Sequence, residues 1–233
     1  MNKIIKNFET WNEEMAKKYN PDKYHNSRNC LIRWIEGQRV NKIIKLLEAA
    51  ENDKILELGC GAGNILEKIE KGELFGADLS DFMLELARKK LKNKAKLFKE
   101  NIESLSSDFK ALKFNKIYCS EVLEHLSCPE RAIEQIIEVS HPQALIIISV
   151  PNEPLINRIK GFLQRLHIFS YLFPGISKKM DDEWHLSSFN LALLRKLTDY
   201  NFKELRVLAA PFIWLPLHYI VLYRLKNNKQ EGL

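Results

Sequence analysis

The chain has 233 residues, 45% hydrophobic and 28% charged, which fits one globular α/β domain and excludes an intrinsically disordered chain. Its formal net charge of +6 is compatible with an anionic cofactor, a nucleic acid or an acidic membrane surface, and selects none of them. Cys30, Cys60, Cys119 and Cys128 form neither a CxxC pair nor a zinc-ligand spacing, and Met1 opens no signal-peptide pattern, so we expect a cytoplasmic protein.

In chain order, the predicted elements are a helical segment followed by alternating strands and helices. Residues 1–38 are rich in Trp and Tyr with weak helical periodicity, and apolar residues at helical spacing predict a helix over 40–47. The patterns beyond it predict strands at 54–59, 74–78, 95–98, 116–120 and 145–150, helices at 80–92, from 129 and at 186–200, and closing strands at 202–211 and 217–225.

This alternation predicts a mostly parallel sheet covered by helices on both faces, with an antiparallel member among the closing strands. Residues 152–186 interrupt it with an insertion long enough to be functional. We therefore predict a single domain, 1–233, made of an N-terminal helical cap (1–38), a cofactor-binding core (39–151), an insertion or lid (152–186) and the rest of the core (187–225).

A glycine-rich turn follows the first predicted strand. Gly59, Gly61 and Gly63 stand in a Gly-x-Gly-x-Gly pattern, which permits a tight turn and a close approach of a ligand to the backbone. A helix is predicted directly after it, with free N–H groups at its start. Asp78 ends the next strand 19 residues beyond Gly59, near the spacing of a carboxylate that holds ribose hydroxyls. A nucleotide cofactor is therefore expected here.

Four stretches together resemble class I S-adenosylmethionine-dependent methyltransferases with a type 11 methyltransferase domain. They are Glu57-Leu58-Gly59-Cys60-Gly61-Ala62-Gly63, Gly76-Ala77-Asp78-Leu79-Ser80, Asn101-Ile102-Glu103-Ser104-Leu105 and Ile117-Tyr118-Cys119-Ser120-Glu121-Val122-Leu123-Glu124-His125-Leu126. The resemblance spans about 40–225. It implies a Rossmann-like seven-stranded sheet of order 3-2-1-4-5-7-6 and S-adenosyl-L-methionine as the cofactor.

The resemblance also implies roles for single residues. Asn101 stands where the family usually has Asp, and its amide oxygen can still accept a hydrogen bond from the adenine; an ordinary loop cap is the alternative. The implied cofactor contacts are Glu57, Gly59, Gly61 and Gly63 around the methionine part, Asp78 on the ribose, Leu79 and Ile102 at the adenine, and Ser120 at the methionine ammonium.

Glu121, Glu124 and His125 follow the fourth predicted strand at a spacing that places them on one side of a helical turn. Such a set can bind Mg²⁺ or another divalent metal. The cluster resembles that of ubiquinone-biosynthesis O-methyltransferases, which implies a metal near the acceptor hydroxyl. A catalytic role for His125 and Glu124 without metal, or a structural role, stays open. His185 is a second candidate for acid–base catalysis, with capping or packing as its alternative.

The insertion carries apolar residues at 155, 159, 162, 166, 169 and 173, which form one continuous helical stripe, flanked by Arg158, Lys160 and Arg165. This pattern is typical of a membrane-surface helix. A lid over the active site and a homodimer contact are the alternatives. The segment 173–176 would be its hinge or anchor.

The sequence therefore predicts methyl transfer to a small-molecule acceptor, aromatic or lipid-like, most readily at oxygen. Alternatives are methylation of RNA or protein, a nucleotide-cofactor dehydrogenase, and a non-catalytic binding protein. Methylation of nucleic-acid bases is disfavoured because Cys119-Ser120-Glu121-Val122 stands where such enzymes often carry Asn/Asp-Pro-Pro-Tyr.

Overall fold

The computed structural model describes residues 7–25, 29–173 and 183–226. Its centre is one seven-stranded sheet of order β3-β2-β1-β4-β5-β7-β6, which confirms the predicted strand order. The strands are β1 (Lys54–Leu58), β2 (Glu73–Asp78), β3 (Ala95–Lys99), β4 (Phe114–Ser120), β5 (Ser140–Pro151), β6 (Phe202–Phe212) and β7 (Leu215–Leu225).

The first five strands are parallel, because each returns to the sheet through a crossover connection. β7 pairs antiparallel with both β5 and β6, as the closing pair of strands predicts. β5 is almost wholly buried along its second half, which explains its unbroken apolar sequence.

Helices cover both faces of the sheet. They are α1 (Phe8–Tyr19), α2 (Asp22–His25), α3 (Cys30–Leu47), α4 (Asp81–Leu91), α5 (Ser107–Ala111), α6 (Pro129–Val139), α7 (Glu153–Arg165), α8 (Phe169–Leu172) and α9 (Leu191–Thr198). One buried core joins the sheet to α5, α6 and α9, and a second joins it to α3 and α4. Ser80 caps α4 by accepting a hydrogen bond from the Met83 N–H, as predicted.

Three local predictions are wrong. Only a 3₁₀ turn, Leu66–Lys68, lies between the glycine-rich turn and β2, where a full helix was expected. α9 begins at Leu191, five residues later than predicted, because Asn190 caps it by accepting a hydrogen bond from the Leu193 N–H. The insertion is not one helix: α7 ends at Arg165 and the backbone turns at His167, whose φ of 58° is left-handed.

Two glycines of the turn are required by close packing. Gly59 and Gly63 have φ of 73° and 75°, and an added Cβ would lie 2.3 Å from a Val122 methyl carbon and 2.6 Å from a Leu91 methyl carbon, respectively. Gly61 faces open space instead. The turn therefore packs between neighbouring elements at both ends and leaves its middle exposed to a ligand.

Among the residues that the structure describes, no helix combines the length and apolarity needed to cross a membrane.

Candidate active site

A pocket opens at the carboxyl ends of β1, β2 and β4, where the predicted cofactor residues converge. Of the nine, eight line it: Glu57, Gly59, Gly61, Asp78, Leu79, Asn101, Ile102 and Ser120. Gly63 does not; its role is the close packing of the turn against Leu91. Because parallel strands end at one edge of the sheet, these eight residues, which are spread between positions 57 and 120, form a single site there.

Asp78 is held in place by backbone donors. Its Oδ2 accepts a hydrogen bond from the Gly61 N–H at 2.7 Å, and its Oδ1 accepts one from the Ser80 N–H at 2.9 Å. Burial raises the pKa of this carboxyl group. Each oxygen keeps a second lone pair, so the carboxylate can also accept hydrogen bonds from two hydroxyl groups of a ligand.

Glu57 is 3% exposed on β1 and accepts a hydrogen bond from the Tyr118 hydroxyl at 3.0 Å. Burial, with a smaller contribution from the charge of Asp78, raises the pKa of Glu57 to about 8. A cationic ligand beside it would favour the ionised form. The methionine part of S-adenosylmethionine, with its ammonium and sulfonium groups, is such a ligand.

At the adenine end of the pocket, the Asn101 Oδ1 accepts a hydrogen bond from the Glu103 N–H at 2.9 Å. The predicted loop cap is therefore present, and Asn101 also lines the pocket beside Ile102. Its oxygen has a second lone pair, so the two expectations for Asn101 are compatible.

Sequence reasoning missed Arg39 of α3, which is 4% exposed and lines the pocket. It donates to the Ser120 hydroxyl and pairs with Glu36, while its Nε has no hydrogen-bond partner in the described part of the chain. The sequence signal for Arg39 was weak, because an arginine in a helix is normally interpreted as a solvent-facing residue.

The N-terminal helix α1 covers the cofactor pocket through Phe8, Asn12 and Ala16. Its end is bound to the segment before α9: the Tyr19 hydroxyl donates to Glu183, and the Tyr19 ring stacks on Trp184 with centroids 6.0 Å apart. α1 therefore forms one wall of the pocket and is fixed to the segment before α9.

A second, larger cavity of about 570 Å³ adjoins the cofactor pocket. The two share Pro21, Arg39, Glu121, His125 and Trp184. Apolar side chains form most of the remaining wall: Leu31, Ile32, Trp34 and Ile35 of α3, Ile156, Ile159 and Leu163 of α7, Phe169, Leu172 and Phe173 at α8, and Pro211, Leu215 and Leu217 of the β6–β7 hairpin.

Glu124, His125 and His185 meet in this cavity, and their ligand-capable atoms lie within 4.8 Å of one another. Glu124 is 1% exposed, and its Oε2 has no partner among the described residues. Burial and the nearby Glu121 charge raise its pKa. Burial and the neighbouring His185 lower the pKa of His125 to about 3, so its imidazole is neutral. His185 donates to or accepts from Glu153, with 2.9 Å between Nδ1 and Oε1.

Glu121 lies apart from this cluster, so the expectation that it shares one side of a helical turn with Glu124 and His125 is wrong. Only Leu123–His125 forms a 3₁₀ turn, and Glu121 has a left-handed φ of 57°. Its carboxylate contacts His218 and Ser149 instead. Although burial opposes it, the interaction with His218 and the charge of Arg39 lower the pKa of Glu121 to about 2.

A family model described as a methyltransferase domain, Methyltransf_23, matches residues 31–205. The chain therefore belongs to this family of class I methyltransferase domains. The matching domain type differs from the predicted type 11. S-adenosylmethionine is the cofactor of the class, and the pocket lined by Glu57, Asp78 and the glycine-rich turn is the candidate site for it. The predicted class and cofactor are confirmed.

Curated relatives resemble part of the chain. The ubiquinone biosynthesis O-methyltransferase of Coxiella burnetii is 27% identical over 135 residues, covering 55% of this chain and 54% of that protein. The protein of the same name from Hydrogenovibrio crunogenus is 30% identical over 117 residues, covering 48% of each. The chain thus spans about half the length of these relatives.

Solved structures share the fold over nearly the whole chain. The N-methyltransferase NodS of Bradyrhizobium japonicum, with bound S-adenosyl-L-homocysteine, superposes with a TM-score of 0.65 at 16% identity, covering 94% of this chain and 97% of NodS. Magnesium protoporphyrin IX methyltransferase of Synechocystis gives 0.66 at 15% identity, with 93% and 99% coverage. At such identities the likeness establishes the fold and leaves the acceptor undefined.

The Asp78 geometry predicts a large loss of cofactor affinity in Asp78→Ala. Removal of two charge-assisted hydrogen bonds should weaken S-adenosylhomocysteine binding by about 2–4 kcal/mol. Calorimetric titration measures this. Asp81→Ala is the matched control, since it removes an exposed carboxylate at the start of α4 that pairs with Lys99 and does not line the pocket. Equal affinities of Asp78→Ala and the wild type would contradict the assignment.

The raised pKa of Glu57 predicts a pH-dependent stability difference. The unfolded chain loses the Glu57 proton near its ordinary value of 4.5, and the folded protein loses it near 8. The folded state therefore binds more protons between these values, so this group's contribution to stability falls as pH rises through that window.

Glu57→Gln removes this contribution. Without cofactor, the variant should be more stable than the wild type at pH 8 by about 1–3 kcal/mol, and the difference should shrink towards pH 5. Urea unfolding at both pH values measures it. Glu51→Gln, at an exposed carboxylate, is the control. A difference that does not change with pH would show that Glu57 is ionised in the folded protein.

Proposed function

We propose that this protein transfers a methyl group from S-adenosylmethionine to a hydroxyl group of an apolar small molecule, aromatic or lipid-like. The observation that carries the proposal is the cavity of about 570 Å³, whose wall is mostly apolar. A molecule with an apolar tail and a polar head would place its head at that junction, beside His125, Glu121 and Trp184.

Unsatisfied polar groups at the junction support a polar head. Glu124 Oε2 and Trp184 Nε1 are buried without a hydrogen-bond partner among the described residues, and both residues line the cavity. Such atoms cost free energy unless a ligand pairs with them. The curated relatives are named for O-methylation in ubiquinone biosynthesis, which agrees with a hydroxyl acceptor carrying an apolar chain.

When bound, S-adenosylmethionine supplies a methyl group on a sulfonium, an already reactive donor. The chain's own residues bind and orient the cofactor and the acceptor, and they exclude water from the site. Asp78 and the glycine-rich turn hold the cofactor, α1 covers it, and α7 with the β6–β7 hairpin encloses the acceptor. Alignment of donor and acceptor is the main catalytic contribution required of such a site.

The proposal predicts a strong preference for a tailed phenolic acceptor. Dodecylcatechol in detergent should be methylated with kcat/KM at least about 100-fold above catechol, since each buried methylene contributes roughly 0.8 kcal/mol. Turnover is measured by transfer of labelled methyl groups. Dodecylaniline is the control for transfer to nitrogen. Methylation of bulk RNA or protein with no transfer to either tailed compound would favour the alternative acceptor.

We further propose that Glu124, His125 and His185 hold a divalent metal near the acceptor hydroxyl. The unpartnered Glu124 oxygen, the neutral His125 and the Glu153 carboxylate on His185 fit a ligand set with an outer carboxylate. Two imidazoles and one carboxylate suit Mn²⁺, Fe²⁺ or Zn²⁺ better than Mg²⁺. The metal would act as a Lewis acid on the hydroxyl.

On this basis, dialysis against EDTA should abolish turnover and Mn²⁺ should restore it. His185→Ala should weaken Mn²⁺ binding at least about 10-fold, the usual scale for a lost ligand or its orienting partner. His141→Ala, at an exposed histidine, is the matched control. Full activity after EDTA treatment, with no bound metal detected, would leave His125 and His185 as metal-free acceptor contacts.

We also propose the predicted membrane contact, over a surface that includes the β6–β7 hairpin besides the insertion. The outward face of α7 and α8 exposes Phe162 at 61% and Tyr171 at 86%, and the β6–β7 hairpin exposes Ile213 at 88% and Trp214 at 74%. Both elements line the acceptor cavity with their other residues, so the exposed side chains belong to the walls of one cavity. Arg158 and Arg165 add positive charge on α7. Beyond Phe173, the expected hinge lies outside the described residues.

We expect salt-sensitive binding to anionic vesicles, weakened by Phe162→Asp and by Trp214→Asp. Each inserted large side chain contributes roughly 1.5–3 kcal/mol and each basic residue about 1 kcal/mol. Co-sedimentation measures this. Tyr200→Asp, at an 80% exposed aromatic of the turn after α9, is the matched control. Phe169 is buried and unsuitable as a probe. A protein that stays in the supernatant but dimerises would identify the surface as a dimer contact.

A further inference from the structure

His218 stands in the middle of an otherwise apolar stretch of β7 and lines the acceptor cavity. No motif of the sequence points to it. In β7 it lies opposite Pro151 of β5 and Ala210 of β6, and its side chain is 12% exposed. A polar side chain at such a position is placed against the cavity and not against bulk solvent.

The His218 ring is fixed by one carboxylate. Its Nδ1 lies 2.9 Å from Glu121 Oε2, and the other oxygen of Glu121 accepts a hydrogen bond from the Ser149 hydroxyl at 3.0 Å. The Ser149 hydroxyl is 3.0 Å from that of Ser120, to which Arg39 donates. This chain of contacts runs from the cofactor pocket to the acceptor cavity.

The backbone of Glu121 adds a further constraint. Its left-handed φ of 57° is unusual for a residue with a side chain, and its N–H donates to the Ser149 carbonyl at 3.1 Å. Strained backbone of this kind persists where the surrounding structure fixes it, and it often marks a functional position. Here it brings a charged side chain to the boundary of the two pockets, both of which Glu121 lines.

A carboxylate that accepts the Nδ1 hydrogen of a histidine leaves the lone pair on Nε2. Within the described residues, Nε2 of His218 has no hydrogen-bond partner. His125 has different surroundings, since its ring packs against Trp184, with centroids 4.5 Å apart, and against His185. The Glu121–His218 pair is therefore a separate, oriented proton acceptor at the acceptor cavity.

We propose that His218 is the general base that removes the proton of the acceptor hydroxyl, with Glu121 as the residue that positions it. This inference rests on the proposed function, since it needs a hydroxyl acceptor. The hydroxyl proton goes to His218 Nε2 while the acceptor oxygen forms a bond to the methyl carbon. The methyl–sulfur bond breaks, its electron pair stays on sulfur, and His218 later releases the proton to solvent.

The test compares dodecylcatechol with its nitrated analogue, whose hydroxyl ionises near neutral pH and needs no base. His218→Asn keeps a donor for Glu121 but has no basic nitrogen. We expect its kcat on dodecylcatechol to fall about 100-fold or more, with KM changed less than about threefold, because general bases contribute on this scale. On the nitrated compound the loss should be less than about fivefold.

Glu121→Gln should show a smaller loss, about 10-fold, which also disappears with the nitrated compound, because a positioning residue acts only through His218. His141→Asn, at an exposed histidine, should match the wild type on both compounds. S-adenosylhomocysteine affinity, measured by calorimetry, should be unchanged in His218→Asn, which excludes damage to the fold.

Equal losses on both catechols, or none on either, would overturn the assignment of His218 while leaving the proposed function intact. If the wild type methylates neither compound, the proposed acceptor class is wrong and the base assignment falls with it. The two failures therefore differ in the behaviour of the wild-type protein.

Discussion

Fixed pairing between three parallel strands is the constraint on which the site depends. β1 lies between β2 and β4, with Leu58 opposite both Ala77 and Cys119. The N–H groups of Gly59 and Cys60 then bond to the Ala77 carbonyl at 2.8 and 3.0 Å. The glycine-rich turn is thus tied to the strand that ends in Asp78. A shift of one residue in any of these strands would turn the pocket-facing side chains to the other face of the sheet.

Around this edge the chain accumulates buried carboxyl groups whose ionisation is set by their neighbours. Burial raises the pKa of Glu57 and of Glu124, whereas His218 and Arg39 overcome burial at Glu121 and lower its pKa. Arg39 is the buried cation that links these groups to α3. Glu124 also has an oxygen without a partner among the described residues. Carboxyl groups with raised pKa values are suited to cationic ligands, and both the sulfonium cofactor and a metal ion are cationic.

Much of the fold was predictable because its signals are local. Alternating strand and helix patterns predict the mostly parallel sheet, and the glycine turn with Asp78 predicts the cofactor pocket, whereas the strand order is implied by the family resemblance. The helix expected after the glycines is only a short 3₁₀ turn, a distinction that hydrophobic periodicity alone does not make. The ligand cluster is only partly predictable: Glu124 and His125 are neighbours in sequence, but His185 comes from another segment, and Glu121 turns away through its left-handed backbone.

Arg39 and His218 could not be found from their surroundings in the sequence. Arg39 is one of several charged residues of α3, and His218 stands among apolar neighbours in β7. Their partners, Ser120 and Glu121, lie 81 and 97 positions away. Long-range contacts of this kind depend on the tertiary arrangement. The one usable signal is a charged or imidazole side chain at an otherwise apolar position, which is ambiguous until the fold shows a cavity beside it.

The cover over the cofactor and the walls around the acceptor are built from different elements. Phe8, Asn12 and Ala16 of α1 close the cofactor side, while α7, α8 and the β6–β7 hairpin form the acceptor side. The two sets of elements nevertheless meet at one contact, because Tyr19 at the end of α1 stacks on Trp184, which lines both pockets. A displacement of α1 that opens the cofactor side would therefore also disturb a wall of the acceptor cavity, so we expect release of the two ligands to be coupled.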